Sequence, residues 1–247
     1  MKSTLTLLAL ATALSASAQV VLTGSPYTQD FDSLASTGTG IGWTNNLPTA
    51  LMPGWYSTAT TYDADDGSVP VSGQYSYGTV GSGERALGST ALNGALLMYG
   101  MQVQNGSGGT FNSLQISYTG EQWRSGGVSL TDSLVFEYST NATSLFSGTW
   151  TPFSALDFNA PITSGVGILN GNLAANQAFM SATIGSLSWA NGTDIWVRWK
   201  HIGNSSRDAL ALDNVQLNAT PVPEPASVVG FGVAVLGLLA ARRRSRA

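Results

Sequence analysis

The fold class is decided by residues 114–124, LQISYTGEQWR. From Leu114 to Tyr118 apolar and polar side chains alternate, which is the period of a strand with one buried and one exposed face. The same alternation recurs at 134–138, 195–199 and 209–217. Gly, Asn, Asp or Pro residues separate these runs, so the pattern predicts short half-buried strands joined by turns.

The rest of the chain between the two ends is consistent with an all-β domain. No window sustains a helical period over three turns, and only 173–180 is a candidate for one short helix. Glycine clusters at 38–42 and 106–109 predict loops. We predict a single antiparallel β-sandwich of jelly-roll type. A closed barrel and a β-solenoid are the alternatives, and the lack of a fixed repeat disfavours the solenoid.

The composition of residues 19–220 limits the classes of partner. Lys2 and four C-terminal arginines account for five of the ten basic residues, which leaves five bases against thirteen acids and a formal charge of −8. Such a domain is a poor nucleic-acid binder, because contacts to phosphates supply most of that affinity. The sequence has no cysteine. Disulfides, thiolate metal sites and a cysteine nucleophile are therefore excluded.

The first 18 residues have the three parts of a secretory signal peptide. Lys2 supplies a basic start, residues 5–16 form an uncharged run rich in Leu and Ala, and Ala18 ends the small triplet ASA. This order predicts export and cleavage after Ala18 by signal peptidase. A buried helix of a cytosolic protein is the alternative.

The C-terminal end combines a proline-rich motif, an apolar run and a basic cluster. The motif is Val222, Pro223, Glu224 and Pro225, the run is 226–241, and the cluster is Arg242, Arg243, Arg244 and Arg246. A helix over the run reaches about 24 Å, and arginine side chains snorkel toward the roughly 30 Å of a hydrocarbon core. We predict a transmembrane helix at 226–241 with its basic end in the cytoplasm.

These three parts, in this order, resemble the PEP-CTERM sorting signal of Gram-negative bacteria. The resemblance implies recognition of Val222 to Pro225 by a membrane enzyme, an exosortase, and removal of the tail. It also implies transient anchoring in the inner membrane before delivery to the cell surface or beyond. The predicted organisation is a signal peptide at 1–18, a β-sandwich at 19–220 and a sorting tail at 221–247.

Several strings between the two ends resemble a jelly-roll-like domain of exported bacterial proteins, some of them nuclease-associated. They are QDFDSL at 29–34, PGWY at 53–56, RALGS at 85–89, YTGEQWR at 118–124, WVRW at 196–199 and LALDN at 210–214. The resemblance implies the fold and carries no assigned activity.

Recognisable catalytic sets are missing from the sequence. His201 is the one histidine, and no serine lies in a Gly-x-Ser-x-Gly turn, so neither a multi-histidine zinc site nor a nucleophile elbow is predicted. A polysaccharide hydrolase would need two facing carboxylates, for which Glu121 with Glu84 or Glu137 are the candidates. We assign no catalytic residue.

Two groups of residues are candidates for ligand contact. Glu121 and Arg124 flank Trp123, and an acid and a guanidinium beside an aromatic ring could hold a sugar. The alternative is that Trp123 packs in the core while Glu121 and Arg124 pair across a sheet corner. Aspartates suggest Ca²⁺ sites, because this hard cation prefers carboxylate oxygens. One set is Asp63, Asp65 and Asp66, and the other is Asp30 or Asp32 with Asp213, if the first and last strands pair.

The sequence therefore favours an exported, non-catalytic β-sandwich that binds glycan or extracellular matrix. A polysaccharide hydrolase and a purely structural surface or biofilm component are the alternatives. The expected partners are signal peptidase, exosortase, the inner membrane and extracellular polysaccharide, without nucleic acid.

Overall fold

A computed structural model describes residues 19–46, 52–127 and 130–221. The predicted signal peptide at 1–18, the motif at 222–225, the helix at 226–241 and the arginine cluster lie outside these residues. Within the described residues, no helix has the length and apolar character needed to cross a membrane.

The described chain folds into two sheets. The seven-stranded sheet contains β1 Val20–Leu22, β4 Trp55–Ser57, β8 Leu96–Asn105, β10 Ser133–Ser139, β11 Thr151–Pro152, β12 Phe158–Asn159 and β15 Asp194–Ile202. The nine-stranded sheet contains β2 Tyr27–Gln29, β3 Ile41–Gly42, β5 Thr61–Asp65, β6 Gly73–Tyr77, β7 Ala86–Thr90, β9 Phe111–Gly126, β13 Val166–Ile168, β14 Gln177–Ile184 and β16 Ala209–Pro221. A 3₁₀ turn, η1, covers Ser154–Leu156.

Neighbouring strands in both sheets are mostly antiparallel. The seven-stranded sheet runs β1-β8-β15-β10-β11, with β4 also paired to β8 and β12 to β10. The nine-stranded sheet runs β13-β9-β16-β7-β6-β5-β3, with β14 also paired to β9 and β2 to β16. The two exceptions to antiparallel pairing are β1 with β8 and β5 with β6. The predicted all-β sandwich is confirmed.

The predicted strands lie at the centre of the two sheets. The alternating runs at 114–118, 134–138, 195–199 and 209–217 fall in β9, β10, β15 and β16 respectively. The helix suggested for 173–180 is wrong, because β14 begins at Gln177 and pairs with β9 from Glu121 to Leu114. In β14 the more buried and more exposed side chains alternate, which is a period of two and not 3.6.

The sandwich core is organised around Trp199 of β15. Its ring stacks on Trp55 with centroids 6.0 Å apart and meets Tyr118 and Phe136 edge-on at 5.4 and 5.2 Å. All four side chains are fully buried. Aromatic pairs of this geometry contribute about 0.5–1.5 kcal/mol beyond their buried area. The aromatic cluster thus holds the two sheets together in a protein without disulfides.

Gly120 of β9 is required because a ring lies directly over it. A Cβ added at Gly120 would collide with the side chain of Phe158, which belongs to the opposite sheet. We expect Gly120→Ala to lower the free energy of unfolding in urea by about 1–3 kcal/mol, the usual cost of overpacking. The matched control is Gly109→Ala, where the added Cβ meets nothing within 4 Å. Equal stability of the two variants would contradict the packing described here.

Candidate functional site

Three carboxylates converge on the outer face of the nine-stranded sheet. Glu121 projects from β9, Asp213 from β16, and Glu84 from the loop before β7. Their carboxylate oxygens lie within 4.8 Å of one another. The two strands bring their acids together because β9 and β16 are neighbours, with Asp213 opposite Thr119 and Ala211 opposite Glu121. We refer to Glu84, Glu121 and Asp213 as the carboxylate cluster.

Two members of the carboxylate cluster are buried. Glu121 is 1% and Asp213 is 5% exposed. Burial is the main cause that raises the pKa of Glu121 to about 8; the charges of Asp213 and Glu84 act in the same direction, and a hydrogen bond from Trp123 opposes the shift. Burial likewise raises the pKa of Asp213 to about 7, against a hydrogen bond from the Asn214 backbone. Close, desolvated acids of one sign favour either a bound proton or a bound cation.

Further acids stand near the cluster at the end of β2. Asp30 and Asp32 both raise the pKa of Asp213 through their charges, and Glu84 does so more strongly. Asp32 Oδ1 accepts a hydrogen bond from the Arg85 backbone N–H at 2.9 Å. The proximity expected of Asp30, Asp32 and Asp213 follows from the antiparallel pairing of β2 with β16. Glu84 and Glu121 were not part of that predicted group.

The donor set suits a hard cation. All the nearby charged ligands are carboxylates, as Ca²⁺ prefers. Among the described residues, no lysine, arginine or histidine forms an ion pair with Glu84, Glu121 or Asp213. Glu84 instead accepts a hydrogen bond from the Asn172 side chain. Glu84 and Asn172 belong to separate loops, so no local sequence pattern predicts their contact.

The other predicted calcium set forms a turn held by its own hydrogen bonds. Asp65 accepts from the backbone N–H of Gly67 at 2.8 Å and from the Ser68 hydroxyl at 2.9 Å. Asp66 accepts a hydrogen bond from the Ser68 N–H at 3.1 Å. Asp63 accepts a hydrogen bond from a backbone N–H of a neighbouring loop. In the described part of the chain, these three aspartates do not bring three ligand atoms within 4.8 Å of one another, as the carboxylate cluster does.

Of the predicted sugar contacts, Glu121 and Trp123 are buried and Arg124 is half-buried. Trp123 is 1% exposed, its Nε1–H donates to Glu121 Oε2 at 2.9 Å, and its ring stacks on Tyr77 at 6.2 Å. Gly171 lies against the indole, and Arg124 donates to the Gly67 carbonyl at 3.2 Å. We correct the sugar-binding expectation accordingly, because a stacked and covered ring offers no free face.

The carboxylate pairs considered for hydrolysis are separated or buried. Glu137 lies in β10 of the other sheet, where Arg198 and Lys200 each pair with it at 2.5 Å, so its predicted partnership with Glu121 is wrong. Glu84 and Glu121 are close, yet Glu121 is buried and already bonded to Trp123.

His201 belongs to a buried polar network. Its Nδ1 lies 2.9 Å from Ser89 Oγ and its Nε2 lies 3.0 Å from Asp132 Oδ2, which also accepts from the Ser206 hydroxyl at 2.8 Å. Ser89, His201 and Asp132 are each at most 2% exposed. A nucleophile must reach its substrate, so this serine–histidine–aspartate order stabilises the interior and is not an accessible triad.

A groove of about 520 Å³ opens at one end of the sandwich. It is lined by Tyr138, Thr140, Thr151, Ser186, Leu187, Ser188, Trp189, Ala190, Thr193, Asp194 and Ile195. Tyr138 is half-buried and meets Phe153 edge-on at 6.3 Å. Asp194 accepts from Gln19 Nε2 at 2.5 Å and from Gln102 Nε2 at 2.7 Å. We call this surface the Asp194 groove; the sequence did not point to it.

Comparison with known proteins identifies one segment of the chain. Residues 221–244 carry a PEP-CTERM protein-sorting motif. The motif marks the chain for export and for membrane-anchored sorting by an exosortase, as predicted for the C-terminal tail. No curated protein matches the sequence.

Solved structures similar to this chain are β-sandwich domains. One is the CBM22-1 xylan-binding domain of Paenibacillus barcinonensis Xyn10C, with 11% identity over 83% of this chain and 98% of that one, at a TM-score of 0.41. Another is the K3 cleaved adhesin domain of Lys-gingipain from Porphyromonas gingivalis, with 11% identity over 74% of this chain and 97% of that one, at 0.39. At these identities the likeness concerns the fold alone.

The carboxylate cluster predicts an unusual pH dependence of stability in the presence of a chelator. Raised pKa values mean that the folded state holds protons that the unfolded state has lost. Between the ordinary carboxyl pKa near 4 and the folded values of about 7 and about 8, stability therefore falls as pH rises.

We expect the Tm, measured in EGTA, to decline from pH 5 to pH 8.5, and Glu121→Gln to reduce that decline. Asp66→Asn, a change in the separate turn, serves as the control and should leave the decline unchanged. A Glu121→Gln profile parallel to that of the parent would contradict the assignment.

Proposed function

We propose that this chain is an exported envelope protein. Its β-sandwich binds neutral glycan through the Asp194 groove and does not catalyse a reaction on it. Signal peptidase cleaves after Ala18, residues 19–220 form the working domain, and the tail anchors it in the inner membrane before delivery to the surface. The observation that carries the glycan function is the groove itself, which combines an aromatic ring with several hydroxyl side chains.

The lining of the Asp194 groove matches the chemistry of a sugar ring. Tyr138 offers a half-exposed ring for the apolar face of a sugar, and Phe153 fixes its orientation edge-on. Five hydroxyl side chains around it can both donate and accept hydrogen bonds, as sugar hydroxyls do. They are Thr140, Thr151, Ser186, Ser188 and Thr193. A few polar groups around an apolar floor are the usual composition of a small-molecule site.

The charge around the groove determines which glycans are suitable. The Asp194 carboxylate, held by the amides of Gln19 and Gln102, lies on the outer face of the seven-stranded sheet, whereas Tyr138 faces the core side. The charge of Asp194 and the net acidity of residues 19–220 repel uronate and sulfate groups. The described residues that line the groove include no basic side chain to offset that repulsion. We therefore propose a neutral polysaccharide as the ligand.

Binding fits the groove better than hydrolysis does. Glycoside cleavage uses two carboxyl groups about 5–9 Å apart across the scissile bond. Asp194 is the one acidic residue among the described residues that line the groove. The paired acids Glu84 and Glu121 belong to the carboxylate cluster, where Glu121 is covered.

The glycan proposal is tested on the exported protein with neutral tri- to hexasaccharides of xylose, glucose and galactose. We expect Tyr138→Ala to weaken binding at least 10-fold, about 1.4 kcal/mol, because the stacking surface is lost. Tyr138→Phe keeps the ring and should retain most of the affinity. Phe179→Ala, which removes an exposed ring on the other sheet, is the matched control. Calorimetry showing no binding by the parent protein to any of these sugars would overturn the proposal.

We also propose that the carboxylate cluster binds Ca²⁺. A cation that binds only the folded protein stabilises it by about 2.7 kcal/mol at 100 times its Kd. We expect Ca²⁺ to raise the Tm at pH 7.5 by several degrees, which is about 2–4 °C for each kcal/mol. Asp213→Asn should abolish this rise. Asp66→Asn should preserve it, whereas the reverse result would place the cation in the turn of Asp63, Asp65 and Asp66.

A structural role in a surface layer is supported by one feature, the sheet edge formed by β13 and β14. Both strands pair with β9 alone, and they expose Val166, Ile168 and Phe179 by 72%, 54% and 72%. An apolar open edge is a template for self-association. Sedimentation of Phe179→Ala against the parent protein separates this role from glycan binding, since Tyr138→Ala should leave assembly unchanged.

A further inference from the structure

β14 has one edge paired with β9 and one open edge. Its residues, Gln177–Ile184, lie opposite Glu121 to Leu114 of β9. Among the described residues, no other strand pairs with β14. The strand contains no charged residue and no proline, although these are the residues that usually block an open edge. β14 therefore offers its whole length as a template for a further strand.

The register of β14 on β9 shows which backbone groups face the open edge. The Gln122 N–H donates to the Asn176 carbonyl at 2.8 Å, one step beyond the pair of Glu121 with Gln177. Hydrogen-bonded pairs alternate along an antiparallel ladder, so the even-numbered residues of β14 bond to β9. The odd-numbered residues point their N–H and C=O groups outward. They are Gln177, Phe179, Ser181 and Thr183, and no hydrogen bond within the described chain reaches these backbone groups.

The open edge is complementary to itself about Met180. When two copies of β14 run antiparallel with their Met180 residues opposite each other, Gln177 faces the partner's Thr183 and Phe179 faces the partner's Ser181. All four outward residues of each copy then exchange both of their hydrogen bonds. Phe179, which is 72% exposed, becomes a diagonal neighbour of its own copy at about 7–8 Å, within reach of aromatic contact. Any other register leaves outward groups at the ends of the strands without partners.

The distribution of charge also favours a second copy in this antiparallel direction. Residues 19–220 carry a formal charge of −8, so two copies repel each other except where they meet along an uncharged surface. Glu121 of the carboxylate cluster lies opposite Gln177, at one end of β14. In the antiparallel pair the two Gln177 residues are offset by six positions, about 20 Å. This is about two Debye lengths at physiological salt, whereas parallel pairing would place the two carboxylate clusters side by side.

We propose that β14 pairs with β14 of a second copy of this chain, antiparallel about Met180, and so joins two nine-stranded sheets across a twofold axis. This inference rests on the self-association role proposed above, and it names the partner and the register of that role. A strand of eight residues is about 27 Å long. The contact is smaller than a standard interface of about 1,600 Å², so we expect the dimer to dissociate at micromolar concentrations.

A single engineered cysteine tests the register, because the chain has no cysteine of its own. Met180→Cys places its two Cα atoms about 4.5 Å apart in a non-hydrogen-bonded pair, which lies within the range of about 4.4–6.8 Å that a disulfide requires. Thr183→Cys is the matched control, since its two Cα atoms are about 20 Å apart in this register. The full chain in detergent is oxidised with diamide over a micromolar dilution series, and the products are separated on non-reducing gels.

We expect Met180→Cys to form a disulfide-linked dimer and Thr183→Cys to remain a monomer. Association through another part of the chain would be common to both variants. Adding Ser181→Lys to Met180→Cys puts a charge on the open edge and should reduce the yield of linked dimer at least 10-fold. Gln115→Lys lies on the same face of β9, a strand that is paired on both sides, and should leave the yield unchanged.

Sedimentation of the parent chain separates the inference from the role on which it rests. Equal yields from Met180→Cys and Thr183→Cys in a chain that sediments as a dimer would overturn the register and leave self-association standing. A yield that Ser181→Lys does not reduce would have the same meaning. A parent chain that sediments as a monomer throughout the dilution series would overturn both the dimer and the self-association role, without affecting the glycan function.

Discussion

The antiparallel pairing of β9 with β16 is the constraint on which the rest of the structure depends. Its inward side supplies Ile116 and Leu217 to the sandwich core, and its outward side brings Glu121 beside Asp213. The end of the same ladder fixes Pro221 opposite Phe111. One pairing thus sets the core, assembles the carboxylate cluster and determines where the sorting tail leaves the domain, because side chains alternate between faces along both strands.

The two sheets neutralise buried acids in different ways. On the seven-stranded sheet, Glu137 is paired with Arg198 and Lys200, so its charge is compensated within the fold. Among the residues that the structure describes, no such cation pairs with Glu121 or Asp213, and their pKa values rise to about 8 and about 7, mainly through burial. The free energy needed to desolvate an unpaired buried charge exceeds the free energy that its hydrogen bonds contribute. A bound proton or an external cation would neutralise these charges. The arrangement therefore favours a site whose stability depends on pH and on calcium.

The strands were predictable from the sequence, and the sites were predictable only in part. Period-two patterns identified the central strands because burial of one face is a local property of alternating side chains. The suggested helix at 173–180 failed because a few apolar residues before an exposed edge strand fit either period. Asp213 could be anticipated from strand pairing, but Glu84 joins it from a loop. The lining of the Asp194 groove comes from two distant segments, 138–151 and 186–195, which no local motif connects.

The separation of the two sites matters for how the protein can be controlled. Phe111, beside the groove wall, and Glu121 are ten residues apart on β9, about 33 Å along the strand. A cation at the carboxylate cluster therefore shares no ligand with a sugar in the groove. Coupling would need two arrangements of β9, and a strand paired on both sides resists such a change. The carboxylate cluster and the Asp194 groove are therefore two separate sites on the sandwich.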